Sequence, residues 1–294
     1  MRSQPGKELR MITLKNDALS ISVNPFGAEL SGIKDIETGV EYLWQGDPAI
    51  WSGQSPILFP IVGRLASDRF IYEDNTYSLA KHGFARKSPF AVVSTEPAYA
   101  AFSLKSSEET HRGYPFDFEL LAEYRLDGKT LTVTNTVCNT GEKTMYFSLG
   151  AHPAFNIDIG DIIEFSNYER LAPLLVDDAG LYVKEDAALI EKGNRLVITE
   201  NIFDHDALFF HNLKSDCARI IKKETGKAIL EMTFGGAEFL GLWAKPGAPY
   251  VCIEPWCGIC DKVDVSGKIE EKPYIQKLEA GEKFVFTYEI RILA

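Results

Sequence analysis

Two titratable residues interrupt apolar segments at positions where packing alone would not select them. Glu254 lies within YVCIEPWCG (250–258), where burial would raise the pKa of its carboxyl group toward the range useful for a general base. His152 lies within LGAHPAF (149–155), between small residues and a proline that would hold its imidazole rigidly, as a proton donor requires. Each residue also has a purely structural interpretation. Glu254 would then be one partner of a buried ion pair, and His152 would be a hydrogen-bonded histidine of the core. Together the two residues favour acid–base chemistry.

An arginine and a tryptophan extend this pattern. Arg64 ends the apolar segment SPILFPIVGR, and an arginine in such a place needs a partner, which is either an internal carboxylate or a ligand. Trp256 follows Glu254 by two residues and could either stack on a ring-shaped ligand or fill the core.

A further cluster of polar groups lies in KHGFAR (81–86). It places His82 between the cations of Lys81 and Arg86, next to a glycine that lets the backbone approach other groups closely. Such a cluster suits an oxygen-rich or anionic ligand. The alternative is an ordinary solvated surface cluster.

Other kinds of chemistry lack their motifs. No GxGxxG, P-loop or GxSxG sequence is present, so dinucleotide binding, phosphoryl transfer and serine-hydrolase chemistry have no support. The histidines within 204–211 lack a second ligand cluster at metal-binding spacing, and the three cysteines within 252–260 lack the fourth that a plant-type iron–sulfur site requires. We therefore expect no metal and no cofactor. The remaining groups suit acid–base chemistry on a polyhydroxylated ring.

The elements that must position these residues are strands. Apolar and polar residues alternate with period two, and Gly, Pro, Asn and Asp clusters separate the segments. Helical periodicity is confined to two short candidates, residues 47–52 and 178–188. We predict an antiparallel all-β protein, arranged as a large sandwich of two sheets or as a closed barrel. The clearest strand segments are residues 12–23, 119–126, 130–139 and 283–293.

The chain shows no repeat and no long linker that would divide it. We expect residues 1–10 to be a flexible N-terminal extension and residues 11–294 to form one domain. The alternative is a pair of smaller β-sandwiches that meet near residues 155–175, although that stretch is itself strand-like.

Composition narrows the class of partner. The chain of 294 residues has 31 Lys and Arg against 42 Asp and Glu, and 31 − 42 gives a net charge of −11. An acidic balance argues against binding to nucleic acid or to an anionic membrane surface. No apolar run is long enough to span a membrane, and five cysteines are not a disulfide framework. We expect a cytoplasmic protein whose partner is a small molecule.

At this point the motifs resemble those of a known family. They are similar to the aldose 1-epimerases, the galactose mutarotase-like proteins, and most closely to the LacX-like branch near the glucose-6-phosphate 1-epimerases. The matching segments follow the family's order over about 200 residues: PILFPIVGRL, KHGFAR, YPFDFELLAEYRL, SLGAHPAF, DHDALFF and IEPWCG. The resemblance implies a single large β-supersandwich that interconverts the α and β anomers of a sugar.

The resemblance also implies roles for individual residues. Glu254 looks like the general base that removes the proton of the anomeric hydroxyl, and His152 like the general acid that protonates the ring oxygen. Arg64 and His82 resemble the family's substrate-orienting pair. The acidic ligand of the sugar hydroxyls is Asp206 if the DAL motif is aligned, and Asp204 if the DHN motif of the galactose mutarotases is aligned; we prefer Asp206.

The resemblance leaves the substrate open. The chain has EPW where the galactose mutarotases tend to have EPQ, and it carries the HGFAR segment. Arg64, Lys81 and Arg86 would form a phosphate clamp if all three converged, which would make the protein a hexose-6-phosphate 1-epimerase. A third hypothesis, of another class, is a non-catalytic carbohydrate-binding or sugar-sensing protein. The presence of both His152 and Glu254 favours an enzyme, because a binding module needs no matched acid and base.

Overall fold

Alternating apolar and polar residues form long antiparallel strands. In TLTVTNTVCN every second side chain points to the same face, so one face of this strand is buried against the core. The computed structural model describes residues 10–177, 179–185 and 188–294. Its strands are β1 (Ile12–Lys15), β2 (Leu19–Asn24), β3 (Glu29–Asp35), β4 (Ile57–Leu58), β5 (Arg69–Tyr72), β6 (Asn75–Ser78), β7 (Ala91–Glu96), β8 (Tyr99–Lys105), β9 (Phe118–Asp127), β10 (Thr130–Asn139), β11 (Met145–Phe147), β12 (Leu149–Ala151), β13 (Ala154–Asn156), β14 (Ile162–Leu171), β15 (Leu174–Val176), β16 (Tyr182–Glu185), β17 (Ile190–Val197), β18 (Leu208–His211), β19 (Cys217–Ile221), β20 (Ala228–Thr233), β21 (Phe239–Trp243), β22 (Tyr250–Cys257), β23 (Gln276–Leu278) and β24 (Lys283–Ile292).

Helical structure is sparse among the described residues. One four-residue α-helix, α1 (Glu108–His111), begins at a capping box in which Ser107 and Thr110 satisfy each other's backbone N–H groups. Three 3-10 turns span Ala66–Asp68, Ala85–Lys87 and Ile269–Glu271. No helix in the described ranges is long and apolar enough to cross a membrane.

Two large sheets dominate the described part of the chain. The nine-stranded sheet has the order β17-β14-β19-β20-β24-β10-β9-β8-β7, and the eight-stranded sheet has the order β16-β15-β18-β21-β22-β12-β4, with β13 also paired to β22. The pairings between these strands are antiparallel, and neither sheet closes on itself. Smaller sheets are formed by β1-β2-β3, β5-β6 and β11-β23. The all-β prediction is confirmed, in its form of two extended sheets rather than a barrel.

The main hydrophobic core draws on both large sheets. Its buried members include Leu131 and Tyr288 of the nine-stranded sheet and Leu242 and Ile253 of the eight-stranded sheet. Complete burial of a large apolar side chain contributes about 1.5–3 kcal/mol, so many such residues in one cluster bind the sheets together. β13, β14 and β15 together cover most of the stretch where a domain boundary was considered, and β14 lies inside the nine-stranded sheet.

β22 is the strand on which the site depends. All eight of its residues are buried, and it lies between β21 on one side and β12 and β13 on the other. A strand covered on both faces is normally apolar throughout. Glu254 is the exception in this strand, and it therefore needs a reason to be there.

Neither of the two helical candidates is helical in its described residues. Residues 47–52 form a turn in which the N–H groups of Ile50 and Trp51 donate to the Asp47 carbonyl, and the chain then becomes irregular. In the other segment, residues 178 and 186–187 lie outside the described part. Tyr182–Glu185 within it is strand β16, paired with β15 after a turn at Gly180, whose φ of 76° does not suit a helix. Residues 1–9 of the expected extension also lie outside the described residues.

Candidate active site

His152 and Glu254 face each other across two strands. Gly150 of β12 pairs with Trp256, and Ala154 of β13 pairs with Cys252, so the same register places His152 opposite Glu254. The Nε2 atom of His152 lies 3.2 Å from Oε2 of Glu254. Both residues are buried, with 7% and 2% of their surfaces exposed. The β-sheet register therefore brings together two groups that are about a hundred residues apart in sequence.

A cavity of about 150 Å³ opens beside this pair. One ordered water needs only about 10–15 Å³, so the cavity has room for a small organic molecule. Its wall contains seven of the residues singled out in the sequence: Lys81, His82, Arg86, His152, Asp206, Glu254 and Trp256.

Two residues considered from the sequence are absent from this wall. Arg64 Nε lies 3.5 Å from Asp68 Oδ1, and 41% of the arginine side chain is exposed. Asp204 is exposed and does not line the cavity, whereas Asp206 does. The convergence of Arg64, Lys81 and Arg86 is thus limited to the last two.

The backbone of Gly63 fixes the orientation of His82. The His82 N–H donates to the Gly63 carbonyl at 2.7 Å, and the Gly63 N–H donates to Nδ1 of His82 at 3.1 Å. His82 adopts a φ of 67° to make both bonds. Gly63 also has a positive φ, and a Cβ on it would lie 2.6 Å from the Cβ of Cys260. Because Nδ1 accepts a hydrogen bond, the proton of the neutral ring is on Nε2.

Burial controls the protonation of the two histidines. It lowers the pKa of His82 well below the ordinary value, with further lowering by the charge of His152 and the cations Lys81 and Arg86. Burial also lowers the pKa of His152 to about 3, with smaller contributions from Arg86 and Lys81. Both imidazoles are therefore neutral near pH 7.

Burial has the opposite effect on the carboxyl group. It raises the pKa of Glu254 well above the ordinary value. The nearby cation of Lys81 opposes this shift, and the carboxylate of Asp206 adds to it. The site therefore contains a carboxyl group whose protonation is set by burial and by two charges at the cavity wall.

Aromatic rings hold His152 from two sides. Trp51 stacks on the imidazole with 5.2 Å between ring centroids, and Trp243 meets it edge-on at 5.8 Å. Trp51 is itself fixed, because Trp44 Nε1 donates to its carbonyl at 2.8 Å and the ring stacks on Tyr250. Sequence reasoning missed Trp51 and Trp243. For Trp51 the available signal is a tryptophan in the Gly- and Pro-containing segment GDPAIWSG, most of which is the helical candidate 47–52.

Lys81 and Arg86 bring positive charge to the cavity. An Nη2–H group of Arg86 donates to the Lys81 carbonyl at 3.0 Å, and neither cation forms a salt bridge with a carboxylate among the described residues. Burial lowers the pKa of Arg86, and the charge of Glu29 partly offsets this. Trp256, also in the cavity wall, packs against Phe209 with 4.5 Å between ring centroids.

One group of side chains has the composition of a metal site. His152, Cys252 and Glu254 each present a ligand atom, and these atoms lie within 4.8 Å of one another. Within the described ranges, the acidic residues and histidines of 204–211 form no such group.

Comparison with known proteins agrees with this architecture. The sequence model of the family described as aldose 1-epimerase matches residues 10–291. Protein LacX of Lactococcus lactis subsp. lactis is 34% identical over 298 residues, which cover 96% of this chain and 99% of LacX. Two solved structures are similar over 97% of this chain. A galactose mutarotase related enzyme from Lactobacillus acidophilus has 29% identity and a TM-score of 0.89 over 98% of its own chain. A galactose mutarotase-like protein from Lactobacillus casei ATCC 334 has 25% identity and a TM-score of 0.91 over its whole chain.

These findings confirm the resemblance drawn from the motifs, including its LacX-like character. The family model matches nearly the whole chain, and LacX shares about one third of its residues with it. The solved structures have the same all-β fold. The chain belongs to the aldose 1-epimerase family.

Proposed function

We propose that this isomerase interconverts the α and β anomers of a free hexose, with Glu254 as general base and His152 as general acid. The observation that carries the proposal is the contact of the two groups, 3.2 Å apart, in the cavity wall. The reaction needs protons moved at two oxygens, the hydroxyl and the ring oxygen, which are bonded to the same anomeric carbon. Two adjacent proton-transfer groups match that requirement.

Ring opening and closure use the pair in opposite senses. Glu254 takes the proton of the anomeric hydroxyl while His152 gives a proton to the ring oxygen, the bond from the anomeric carbon to the ring oxygen breaks, and the aldehyde forms. Rotation about the C1–C2 bond then presents the other face of the carbonyl. On closure, His152 takes the proton back from the attacking hydroxyl and Glu254 returns its proton to the carbonyl oxygen. The enzyme ends with the protons it had at the start.

The reactive form of the His152–Glu254 pair contains the same number of protons as its resting form. Burial favours a neutral pair with the proton on the carboxyl group. A carboxylate beside an imidazolium differs from it only by transfer of one proton across the 3.2 Å contact. Sugar hydroxyls in the cavity supply hydrogen bonds that favour this charged form over the neutral one.

Other wall residues fit the recognition of a sugar. The Nε2–H group of His82 is a fixed donor, and the carboxylate of Asp206 is an acceptor for hydroxyl groups. The rings of Trp51, Trp243 and Trp256 offer apolar surface for the C–H face of a pyranose.

Proton NMR of anomer exchange tests the proposal. The enzyme is added to glucose, galactose and their 6-phosphates below neutral pH, where spontaneous exchange is slow. We expect acceleration on a free hexose and a loss of at least about a hundredfold in Glu254→Gln and in His152→Asn. A protein that binds sugar without accelerating exchange, and whose affinity survives Glu254→Gln, would support the sugar-binding alternative instead.

A second candidate substrate is a hexose 6-phosphate. The observation in its favour is that Lys81 and Arg86 both line the cavity without a carboxylate partner among the described residues. Against it stand the net charge of −11 and the position of Arg64 outside the wall. If the substrate is a hexose 6-phosphate, kcat/KM for the 6-phosphate should exceed kcat/KM for the free sugar. Arg86→Met should then remove this difference.

We further propose a cytoplasmic location. All five cysteines are free thiols, which suits a reducing compartment.

A further inference from the structure

Cys252 lies beside the acid–base pair but has no part in the proposed reaction. It precedes Glu254 by two residues on β22, so both side chains point to the same face of the strand. Its thiol, a nitrogen of His152 and an oxygen of Glu254 lie within 4.8 Å of one another, and all three residues are buried. The site therefore places a soft ligand atom next to the two groups that move protons.

Thiolate, imidazole and carboxylate are the ligands that zinc uses in proteins, at about 2.0–2.3 Å, so donor atoms around a tetrahedral ion lie about 3.3–3.8 Å apart. His152 Nε2 and Glu254 Oε2 already lie 3.2 Å apart. The three ligand atoms lie no more than 4.8 Å from one another, so movements of about 1 Å would bring all their separations into this range. Nδ1 of His152 has no hydrogen-bond partner in the described structure, so rotation of the ring breaks no bond at that atom.

Charge also favours such a complex. A divalent cation with one thiolate, one carboxylate and one neutral imidazole carries no net charge, which suits a buried position. Binding would displace the thiol proton, and the carboxyl proton where present, to solvent. Three protein ligands leave a fourth position for a water on the cavity side, as in other three-ligand zinc sites.

We propose that His152, Cys252 and Glu254 form an inhibitory site for soft or borderline divalent cations of the zinc and cadmium type. The ion occupies the nitrogen lone pair and the carboxylate that the reaction requires, so metal and sugar exclude each other. Magnesium and calcium prefer oxygen ligands and do not bind this set. Metal binding itself is independent of the proposed function, whereas inhibition rests on it.

Cadmium titration of the chelator-treated enzyme tests the site without any sugar. The readout is the ultraviolet charge-transfer absorption of a Cd–thiolate bond, measured in wild type, Cys252→Ser and Cys257→Ser. Cys257 is the matched control, since it is buried on the same strand but lies outside the cluster. We expect one tightly bound cadmium ion per chain in wild type and in Cys257→Ser, and none in Cys252→Ser. The same absorption in Cys252→Ser, or none in wild type, would overturn the proposal.

Inhibition assays with zinc complete the test. Cys252→Ser should keep the wild-type rate in the absence of metal and should need at least about tenfold more zinc for half-inhibition, because even loss of an outer contact of a metal site costs about tenfold in affinity. Rising sugar concentration should relieve the inhibition in wild type. Equal zinc sensitivity of the two proteins would contradict the site. An enzyme with no epimerase activity would refute the proposed function and still leave the cadmium result to decide the metal site.

Discussion

Lys81 and Asp206 act in opposite directions on one carboxyl group, since the cation lowers the pKa of Glu254 and the carboxylate raises it. The reactive pair must hold one proton, and above the pKa of Glu254 that proton is lost and His152 has none to give, so kcat/KM of the metal-free enzyme should fall as pH rises through that pKa. We expect Lys81→Met to move this descending limb to higher pH and Asp206→Asn to move it to lower pH. The measurement is kcat/KM for anomer exchange across pH, with chelator present. Shifts of the same sign in both variants would contradict the assignment of Glu254 as the base.

The two arginines near the site should differ in their effect on substrate binding. Arg86 lines the cavity, whereas Arg64 is paired with Asp68 and partly exposed. A lost charge-assisted hydrogen bond costs about 1.5–3 kcal/mol, so Arg86→Met should raise KM by about tenfold or more. Arg64→Met should leave KM within about threefold of wild type, because an exposed ion pair contributes only about 0–1 kcal/mol. Steady-state kinetics of the two variants would decide, and a larger effect at Arg64 would mean that its side chain turns toward the substrate.

His82 should be observed as the neutral Nε2–H tautomer. The Gly63 N–H occupies Nδ1, and burial keeps the pKa of the ring low. Nitrogen NMR of enzyme labelled in histidine should give this tautomer throughout the pH range in which the protein is folded.

Two variants of His82 separate donation from packing. Gln carries an amide N–H near the Nε2 position, whereas Asn does not reach it, so His82→Gln should retain more activity than His82→Asn. A protonated ring near pH 6, or the reverse order of the variants, would rule out the fixed-donor role.

The depressed pKa of His152 should be measurable as stability. Its value is about 3 in the folded protein, against an ordinary value of 6.5. The contribution of this pKa difference to the free energy of unfolding is fully present above pH 6.5. It is lost as pH falls toward 3, because in that range the unfolded chain binds a proton at His152 and the folded chain does not. Wild type should therefore lose more free energy of unfolding than His152→Asn between pH 7 and pH 4. Urea unfolding of both proteins at a series of pH values measures the difference, and parallel curves would show that the buried ring titrates normally.

The strands and the two titratable residues of the site could be predicted from the sequence because both produce a recognisable pattern among neighbouring residues. β10 spans the same ten residues as its alternating segment, β9 extends its segment by one residue at each end, and β24 ends one residue before its segment does. Glu254 and His152 were found because a charged or ionisable residue in an apolar run has no packing reason to be there.

Other features depend on contacts that the local pattern does not contain. The order of the nine-stranded sheet joins β20 to β24 and β14 to β19, and alternation does not specify such partners. Arg64 turned out to lie beside Asp68 because the chain folds into a 3-10 turn at Ala66–Asp68. Trp51 is part of the site only because the turn at Asp47 brings its ring onto His152.

The shared register of β12 and β13 on β22 has a consequence for engineering. A shift of β22 by one residue would turn Glu254 away from the cavity and put Ile253 or Pro255 in its place, because successive side chains of a strand alternate between faces. Lys81, Arg86 and Asp206 lie instead in turns and in a 3-10 helix, outside the strands that set this register. A designer who changes the side chains of Lys81, Arg86 and Asp206 while leaving the strands and His82 untouched should be able to exchange the sugar accepted and keep His152 opposite Glu254.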